Sequence, residues 1–293
     1  MEQSNLKIWI LAARPKTLWV SVAPVAIGSA MAFEGGGLHI LSAVSALLGA
    51  VLIQIGTNFA NDYFDHHKGV DSQGRLGPTR VVQAGLVSSS AMKTAIIAVF
   101  ALSALPGAYL VWRAGLPVVV IGALSILFGI LYTAGPYPLG HVGLGEIFVI
   151  IFFGPVAVGG TYYVQTLNIS LPVLLSGLAP GLFSVAILTV NNLRDVKSDR
   201  QAGKKTLAVR FGAKFSKIEY LLSIVMACLI PLFLLLDDEK HPYTLLASVV
   251  FLVAMPSIKI VFTSEGAVLN RVLERTGRLL LLYSLIFSLG WIV

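Results

Sequence analysis

Two acidic clusters contain most of the side chains in this chain that could do chemistry. The first lies in NFANDYFDHHKGVDSQGRLGPTRVVQAG, residues 58–85, and the second in NNLRDVKSDRQAGKK, residues 191–205. In both clusters Asn and Asp recur three or four positions apart, as in Asn61–Asp65, Asp62–Asp65, Asn192–Asp195 and Asp195–Asp199. Because residues three or four apart share a face of an α-helix, each cluster predicts a row of oxygen ligands on one helix face.

Clustered carboxylates repel one another unless a cation lies between them. Mg²⁺ prefers oxygen ligands, and proteins typically hold it by one or two carboxylates together with substrate phosphates. No Cys and His spacing indicates zinc. The predicted Mg²⁺ ligands are Asn61, Asp62, Asp65, Asp195 and Asp199. The bases that follow the two clusters, Arg75, Arg80, Lys204 and Lys205, are suited to phosphate oxygens, so acids and bases together indicate a diphosphate site.

The chain that must position these clusters has the composition of a membrane protein. Of its 293 residues, 56% are hydrophobic and 12% charged, and the mean hydropathy is +0.85. Uncharged runs, each close to the length needed to cross a bilayer, predict nine spans at residues 17–33, 38–60, 94–112, 115–134, 144–163, 171–191, 218–236, 242–262 and 277–293. The predicted fold is an all-α polytopic bundle. The net charge of +7 indicates no nucleic-acid partner, because the basic residues lie between the spans.

The distribution of basic residues predicts the orientation of the bundle. With nine spans, all of the 21 Lys and Arg residues except Arg113 and Lys240 lie on the same side as the N-terminus. By the positive-inside rule, the N-terminus and both acidic clusters face the cytoplasm and the C-terminus lies outside, in the plasma (inner) membrane. The clusters follow spans two and six. This spacing predicts one domain over residues 1–293 in which spans 1–4 and 5–8 form a parallel repeat and a ninth helix is appended.

A diphosphate held at the cytoplasmic mouth of such a bundle indicates an isoprenoid diphosphate with its tail in the bilayer. Some candidate contacts have two interpretations. Arg14 is a positive-inside anchor or a ligand of an anion, and Glu146 is a structural partner or a site residue. Tyr132, Tyr137 and Tyr63 are packing or interfacial residues, or stabilise a cation through their ring faces. The predicted substrate-binding set is Asn58, Asp71, Arg75, Arg80, Asn192, Lys204, Lys205, Tyr132, Tyr137, Glu146 and Arg14.

The two motifs, NDYFDHHKGVD with GPTRVVQAG and NNLRDVKSDRQAGKKTLAVRFG, resemble those of the UbiA superfamily of intramembrane aromatic prenyltransferases. The resemblance implies nine helices around a central cavity that opens sideways to lipid. The 4-hydroxybenzoate enzymes of this superfamily have an Asp four residues after the position of Asp65, but Gly69 stands there and the acid is Asp71. This longer spacing is similar to that of the menaquinone branch, whose acceptor is 1,4-dihydroxy-2-naphthoate.

The implied reaction is Mg²⁺-dependent transfer of a polyprenyl group from polyprenyl diphosphate to 1,4-dihydroxy-2-naphthoate, with loss of CO₂ and diphosphate. It belongs to menaquinone or phylloquinone biosynthesis, and the implied catalytic residues are Asp65, Asp195, Lys205 and Arg80. Prenylation of 4-hydroxybenzoate or homogentisate, and chlorophyll synthesis, are alternatives within the same class. A cation-coupled transporter is the alternative from another class, but the acids lie at predicted helix ends rather than at mid-depth, where transporter sites are found.

Overall fold

The computed structural model describes residues 5–70, 76–237 and 240–293. These residues form eleven α-helices and no strand, which confirms the all-α prediction. The α-helices are α1 (Asn5–Ala13), α2 (Trp19–Glu34), α3 (Ile40–His67), α4 (Ser89–Ala114), α5 (Leu116–Leu131), α6 (Gly145–Phe152), α7 (Pro155–Thr166), α8 (Leu171–Gln201), α9 (Leu207–Asp237), α10 (Val250–Thr263) and α11 (Leu269–Ile292). Short 3-10 helices occupy Pro15–Thr17, Pro242–Val249 and Gly266–Val268.

Several helical segments are long and apolar enough to cross a membrane. In the described part of the chain, six helical segments could each cross a bilayer, and α1 with α2, bent by 51°, makes a seventh if the pair counts as one span. The apolar helix α5 is shorter. The prediction of a polytopic membrane protein is therefore confirmed, while the total of nine spans stays a prediction.

The helices that carry the acidic clusters extend beyond the predicted spans. The second predicted span ends at residue 60, but α3 continues to His67, and the sixth ends at residue 191, but α8 continues to Gln201. Asn and Asp side chains often compete with helical hydrogen bonding, yet here the helices continue through both motifs. Each cluster thus lies on the last turns of a long helix, where its side chains share a face as the spacing predicts.

The fifth predicted span is broken where it touches α8. The helix stops at Phe152 and restarts at Pro155, a residue whose missing N–H makes it suited to the first turn of a helix. A Cβ atom on Gly154 would lie 2.2 Å from the Ile150 carbonyl oxygen and 2.7 Å from that of Gly177. Only glycine allows the two backbones to approach this closely, so the break is fixed by packing against α8.

The helices surround a large buried hydrophobic cluster and, beside it, a large cavity. The largest buried cluster joins α2 and α7 to α8–α11 and includes the fully buried rings of Phe183, Tyr220, Tyr283 and Phe287. A cavity of about 540 Å³ lies instead among α2–α7, with Asn61 and Tyr132 in its lining. This cavity is bordered by α2–α7, whereas the side chains of α8–α11 contribute mainly to the buried cluster; the ring of nine helices stays a prediction.

Candidate active site

Asp62 holds a turn of the loop that follows the first motif. Its carboxylate is 1% exposed, and its Oδ2 accepts a hydrogen bond from the Val81 backbone N–H at 2.9 Å and its Oδ1 one from Val82 at 3.4 Å. A buried carboxylate that accepts main-chain N–H groups stabilises the backbone it binds. Asp62 was predicted as a Mg²⁺ ligand, but both of its carboxylate oxygens accept backbone hydrogen bonds, so it fixes the turn next to Arg80 instead.

Asp65 lies between two basic side chains. Its Oδ2 accepts a hydrogen bond from Nη2 of Arg80 at 2.7 Å, and its Oδ1 lies 3.2 Å from Nε2 of His141. Asp65 and Arg80 are both buried. The sequence predicted Arg80 beside the first motif, whereas His141 was not among the predicted residues.

Arg194 organises the second motif. Its guanidinium group donates to both carboxylate oxygens of Asp195, to Oδ1 of Asn191 at 2.7 Å and to Oδ1 of Asn270 at 2.8 Å. The amide of Asn270 in turn donates to the Leu76 carbonyl oxygen at 2.8 Å. A buried arginine on α8 is thus connected through α11 to the loop of the first motif. This network brings the two motifs to the same end of the bundle.

A second connection runs through the loop of residues 133–144. The Lys205 backbone N–H donates to the His141 carbonyl oxygen at 2.6 Å, and Nη2 of Arg210 donates to the carbonyl oxygen of Val142 at 2.7 Å. His141 therefore contacts Asp65 with its side chain and the second motif's loop with its backbone. The side chain of Lys205 is exposed, while Nζ of Lys204 lies 3.1 Å from Oδ1 of Asp199.

Glu146 and Asn192 form a buried polar pair beside the site. The Asn192 amide donates to Oε1 of Glu146 at 3.1 Å, and each residue is less than 9% exposed. Glu146 is thus a partner of one predicted substrate-binding residue. The ring of Tyr132 packs close by, since a Cβ on Gly145 would lie 2.9 Å from the tyrosine hydroxyl oxygen.

The remaining predicted residues of α3 and the N-terminal segment lie on the same end. Asn61 accepts a hydrogen bond from Thr133 Oγ1 at 3.0 Å. The Asn58 amide donates to the Ala13 carbonyl oxygen at 3.0 Å and to Oγ1 of Thr17 at 3.3 Å. Asn58 therefore holds the turn that contains Arg14, a half-buried residue with a left-handed backbone (φ 53°).

Three tyrosines were predicted as possible cation-stabilising residues, and the structure places them differently. Only Tyr132 lines the cavity. Tyr137 is 80% exposed, and Tyr63 packs at the edge of the hydrophobic cluster that joins α1 to α3. Asp71 and Arg75 lie outside the described residues.

Lys68 ties the end of α3 to the loop of residues 133–144. Its Nζ donates to the Gly135 carbonyl oxygen at 2.7 Å. Partial burial lowers the pKa of Lys68, and the nearby charge of Asp65 opposes that shift. Lys68 thereby adds a further link between the first motif and the loop that contains His141.

His141, Arg194 and Asn270 are the site residues that the sequence analysis missed. The sequence carries a signal for Arg194, because it directly precedes Asp195 within the second motif, although the positive-inside rule also accounts for a basic residue there. His141 lies in a Gly- and Pro-rich stretch on the predicted cytoplasmic side. Asn270 had no local signal, since only the folded chain brings it to Arg194.

The donor set of both motifs fits Mg²⁺ by its chemistry. No three His, Cys, Asp or Glu side chains are grouped as metal ligands among the described residues. Asp65, Asp195 and Asp199 are instead paired with Arg80, Arg194 and Lys204. Mg²⁺ rarely needs a complete protein cage, because substrate phosphates and water supply part of its coordination. Oxygen-only side chains at one end of the bundle therefore suit a metal that arrives with a diphosphate.

The structure is a helical membrane bundle in which two helices carry acidic motifs at one end, and an apolar cavity lies beside these motifs. This arrangement is that of an intramembrane enzyme for amphiphilic substrates. The chain belongs to the UbiA prenyltransferase family, whose model matches residues 21–276.

Individual relatives extend over the whole chain. It is 36% identical to the 1,4-dihydroxy-2-naphthoate octaprenyltransferase of Haemophilus influenzae, covering 100% of this chain and 98% of the relative. It is 37% identical to the enzyme of the same name from Escherichia coli, covering 98% and 96%. Among solved structures, a UbiA homolog from Archaeoglobus fulgidus bound to DMAPP and Mg²⁺ has a TM-score of 0.70 at 16% identity, covering 97% of this chain and 98% of that one. This last likeness shows the fold.

Proposed function

We propose that the protein transfers a polyprenyl group from polyprenyl diphosphate to 1,4-dihydroxy-2-naphthoate, with loss of CO₂ and diphosphate, in menaquinone or phylloquinone biosynthesis. The observation that carries this proposal is the pair of acidic motifs joined at one end of an apolar cavity. The full-length similarity to two 1,4-dihydroxy-2-naphthoate octaprenyltransferases supports the same acceptor.

The proposed topology has nine spans with a cytoplasmic N-terminus and the C-terminus outside, in the plasma membrane. The active site then faces the cytoplasm, where the soluble substrate, the naphthoate, and the metal cofactor, Mg²⁺, are available. The basic residues that flank the acidic motifs support this orientation. Spans 1–4 and 5–8 form the proposed parallel repeat within a single domain.

The diphosphate is bound by the acidic and basic side chains of both motifs. Asn61, Asp65, Asp195 and Asp199 would hold Mg²⁺, which when bound supplies Lewis-acid stabilisation of the charge on the departing diphosphate. Arg80, Lys204 and Lys205 bind phosphate oxygens and stabilise the same developing charge. Arg75 and Asp71 belong to the same proposed substrate-binding set. Asp62 keeps the loop of Arg80 in place through its two backbone hydrogen bonds.

The cavity protects the allylic cation that forms when the carbon–oxygen bond to the diphosphate breaks. Its walls are mostly aliphatic, aromatic or glycine residues, so water is excluded from the cation. The ring of Tyr132 faces the cavity and stabilises positive charge through its π-face. The electron-rich ring carbon of the naphthoate then forms the new carbon–carbon bond. Loss of CO₂ from that carbon restores the aromatic ring.

Glu146 and Asn58 support this arrangement from its edges. Glu146 orients Asn192 beside the second motif through the hydrogen bond between them. Asn58 holds the turn with Arg14, which places a basic residue near the end of α3 for the anionic substrates.

The test uses purified protein, Mg²⁺, a polyprenyl diphosphate and a panel of acceptors. With 1,4-dihydroxy-2-naphthoate labelled at the carboxyl carbon, we expect one labelled CO₂ released for each prenylated product. With 4-hydroxybenzoate or homogentisate we expect little product. Efficient prenylation of 4-hydroxybenzoate with retention of its carboxyl group, and none of the naphthoate, would overturn the acceptor assignment.

A further inference from the structure

The α3 wall of the cavity carries a row of polar side chains. Gln54, Thr57 and Asn61 lie three and four positions apart, on one helix face, and all three line the cavity. Asn61 is hydrogen-bonded to Thr133. In contrast, the side chains of Gln54 and Thr57 make no hydrogen bond with any residue of the described ranges. Two polar groups on the cavity wall therefore have no hydrogen-bond partner among the residues that the structure describes.

The row leads from the proposed diphosphate site into the bundle. At a helical rise of 1.5 Å per residue, Thr57 lies about 6 Å and Gln54 about 10 Å along the helix axis from Asn61. Gly129 of the neighbouring helix α5 packs against the Thr57 hydroxyl, since a Cβ there would lie 2.5 Å from Oγ1 of the threonine. The polar groups are thus placed one and two turns deeper than the end of the cavity where diphosphate departs.

The two substrates of the proposed reaction differ in what they offer these groups. A prenyl chain has no hydrogen-bonding atom, so burying it against an amide and a hydroxyl would leave both unsatisfied, which is unfavourable. A dihydroxyaromatic acceptor has hydroxyl groups that can donate to and accept from both side chains. The acceptor must also lie next to the allylic carbon, close to the diphosphate site.

We propose that Gln54 and Thr57 bind the hydroxyl groups of the aromatic acceptor and thereby select a dihydroxylated ring. The inference rests on the proposed function, because it requires prenyl transfer to such an acceptor. Selection follows from the chemistry of the wall: a site that hydrogen-bonds a substrate hydroxyl discriminates against an analogue that lacks it, since its own polar groups then stay unpaired.

The variants that test this are Gln54→Met and Thr57→Val, which keep the side-chain shapes and remove the hydrogen-bonding groups. The matched control is Ser103→Ala. Ser103 also lines the cavity, but its hydroxyl donates to the Phe100 carbonyl oxygen of its own helix at 2.7 Å. For each protein, the KM is measured for 1,4-dihydroxy-2-naphthoate and for the prenyl diphosphate, together with the Ki of 1-hydroxy-2-naphthoate.

We expect at least one of the two α3 variants to raise the KM for the naphthoate about tenfold, as loss of one or two hydrogen bonds would do. The KM for the prenyl diphosphate stays unchanged. 1-Hydroxy-2-naphthoate lacks one of the two hydroxyl groups of the naphthoate substrate. In the variant that has lost the contact to that hydroxyl, the Ki of this analogue therefore rises much less than the naphthoate KM. Ser103→Ala leaves all three constants unchanged. An unchanged naphthoate KM in both α3 variants, or an equal rise for both substrates, would overturn the inference. Failure of the wild-type protein to prenylate the naphthoate would instead refute the proposed function.

Discussion

The strongest energetic prediction concerns the buried pair Arg194 and Asp195. The side chain of Arg194 is fully buried and donates two hydrogen bonds to Asp195, whose side chain is 8% exposed. We consider Arg194→Met, which keeps the apolar stem of the side chain and removes the charge. Removing one partner of a buried ion pair leaves an uncompensated charge, and the expected cost is about 3–5 kcal/mol.

The variant also loses the hydrogen bonds of Arg194 to Asn191 and Asn270. These two losses are independent of Asp195, so a double-mutant cycle separates them from the ion pair. The cycle compares Arg194→Met, Asp195→Asn and the double variant. Because the double variant has no buried charge left at either position, we expect it to be more stable than the sum of the single effects predicts, by about 2 kcal/mol or more.

The assay is reversible unfolding of the purified protein in mixed detergent micelles, followed by helix content and by tryptophan fluorescence. A coupling free energy of about 2 kcal/mol corresponds to more than a tenfold change in the unfolding equilibrium. Additive effects, with a coupling below about 0.5 kcal/mol, would refute the conclusion that Arg194 compensates the charge of Asp195 in the folded protein.

Three further predictions follow from individual contacts. His141→Gln removes the imidazole beside Asp65, and we expect kcat/KM to fall about tenfold while the fold is retained. A tenfold fall corresponds to a loss of about 1.4 kcal/mol of transition-state stabilisation. Unchanged kinetics would contradict a role of His141 at the site. The hydrogen bond from Lys16 holds the pKa of Glu274 below its usual value of 4.5, so its stabilisation is present at neutral pH and disappears as the pH falls through the lowered pKa. The wild-type protein should therefore have a higher Tm than Glu274→Gln at pH 7, with the difference closing below pH 4.5; a difference that is constant with pH would contradict this. Tyr137→Phe should leave steady-state kinetics unchanged, since the side chain is 80% exposed, and a large loss of activity would show that Tyr137 moves into the site.

Sequence predicted the helices and the acidic faces because both depend on local patterns. The apolar runs predict the membrane helices, and the spacing of Asp62, Asp65, Asp195 and Asp199 predicts the acidic faces of α3 and α8. The apolar runs underestimate the lengths of α3 and α8. The hydrophobic residues stop before the helices do, and helical hydrogen bonding continues for several more residues, to His67 in α3 and Gln201 in α8.

The contacts that depend on tertiary packing could not be predicted in the same way. The break at Gly154 exists because its backbone meets Gly177 of another helix, and no local pattern encodes that approach. The partners of the motif side chains are likewise distant in sequence: His141 reaches Asp65 across 76 positions, and Asn270 reaches Arg194 across the same number. The position of the cavity among α2–α7 also reflects the packing of whole helices.

The central claim is that carboxylates from both motifs act together on the diphosphate. The most direct measurement is a single-turnover assay with polyprenyl diphosphate and 1,4-dihydroxy-2-naphthoate, with Mg²⁺ or with a chelator, for the wild-type protein, Asp65→Asn and Asp195→Asn. Glu265→Gln, an exposed acid on the same predicted side, is the matched control. We predict prenylated, decarboxylated product only with Mg²⁺, lost in each aspartate variant and retained in the control. Product formation at the wild-type rate in either folded aspartate variant would contradict the account.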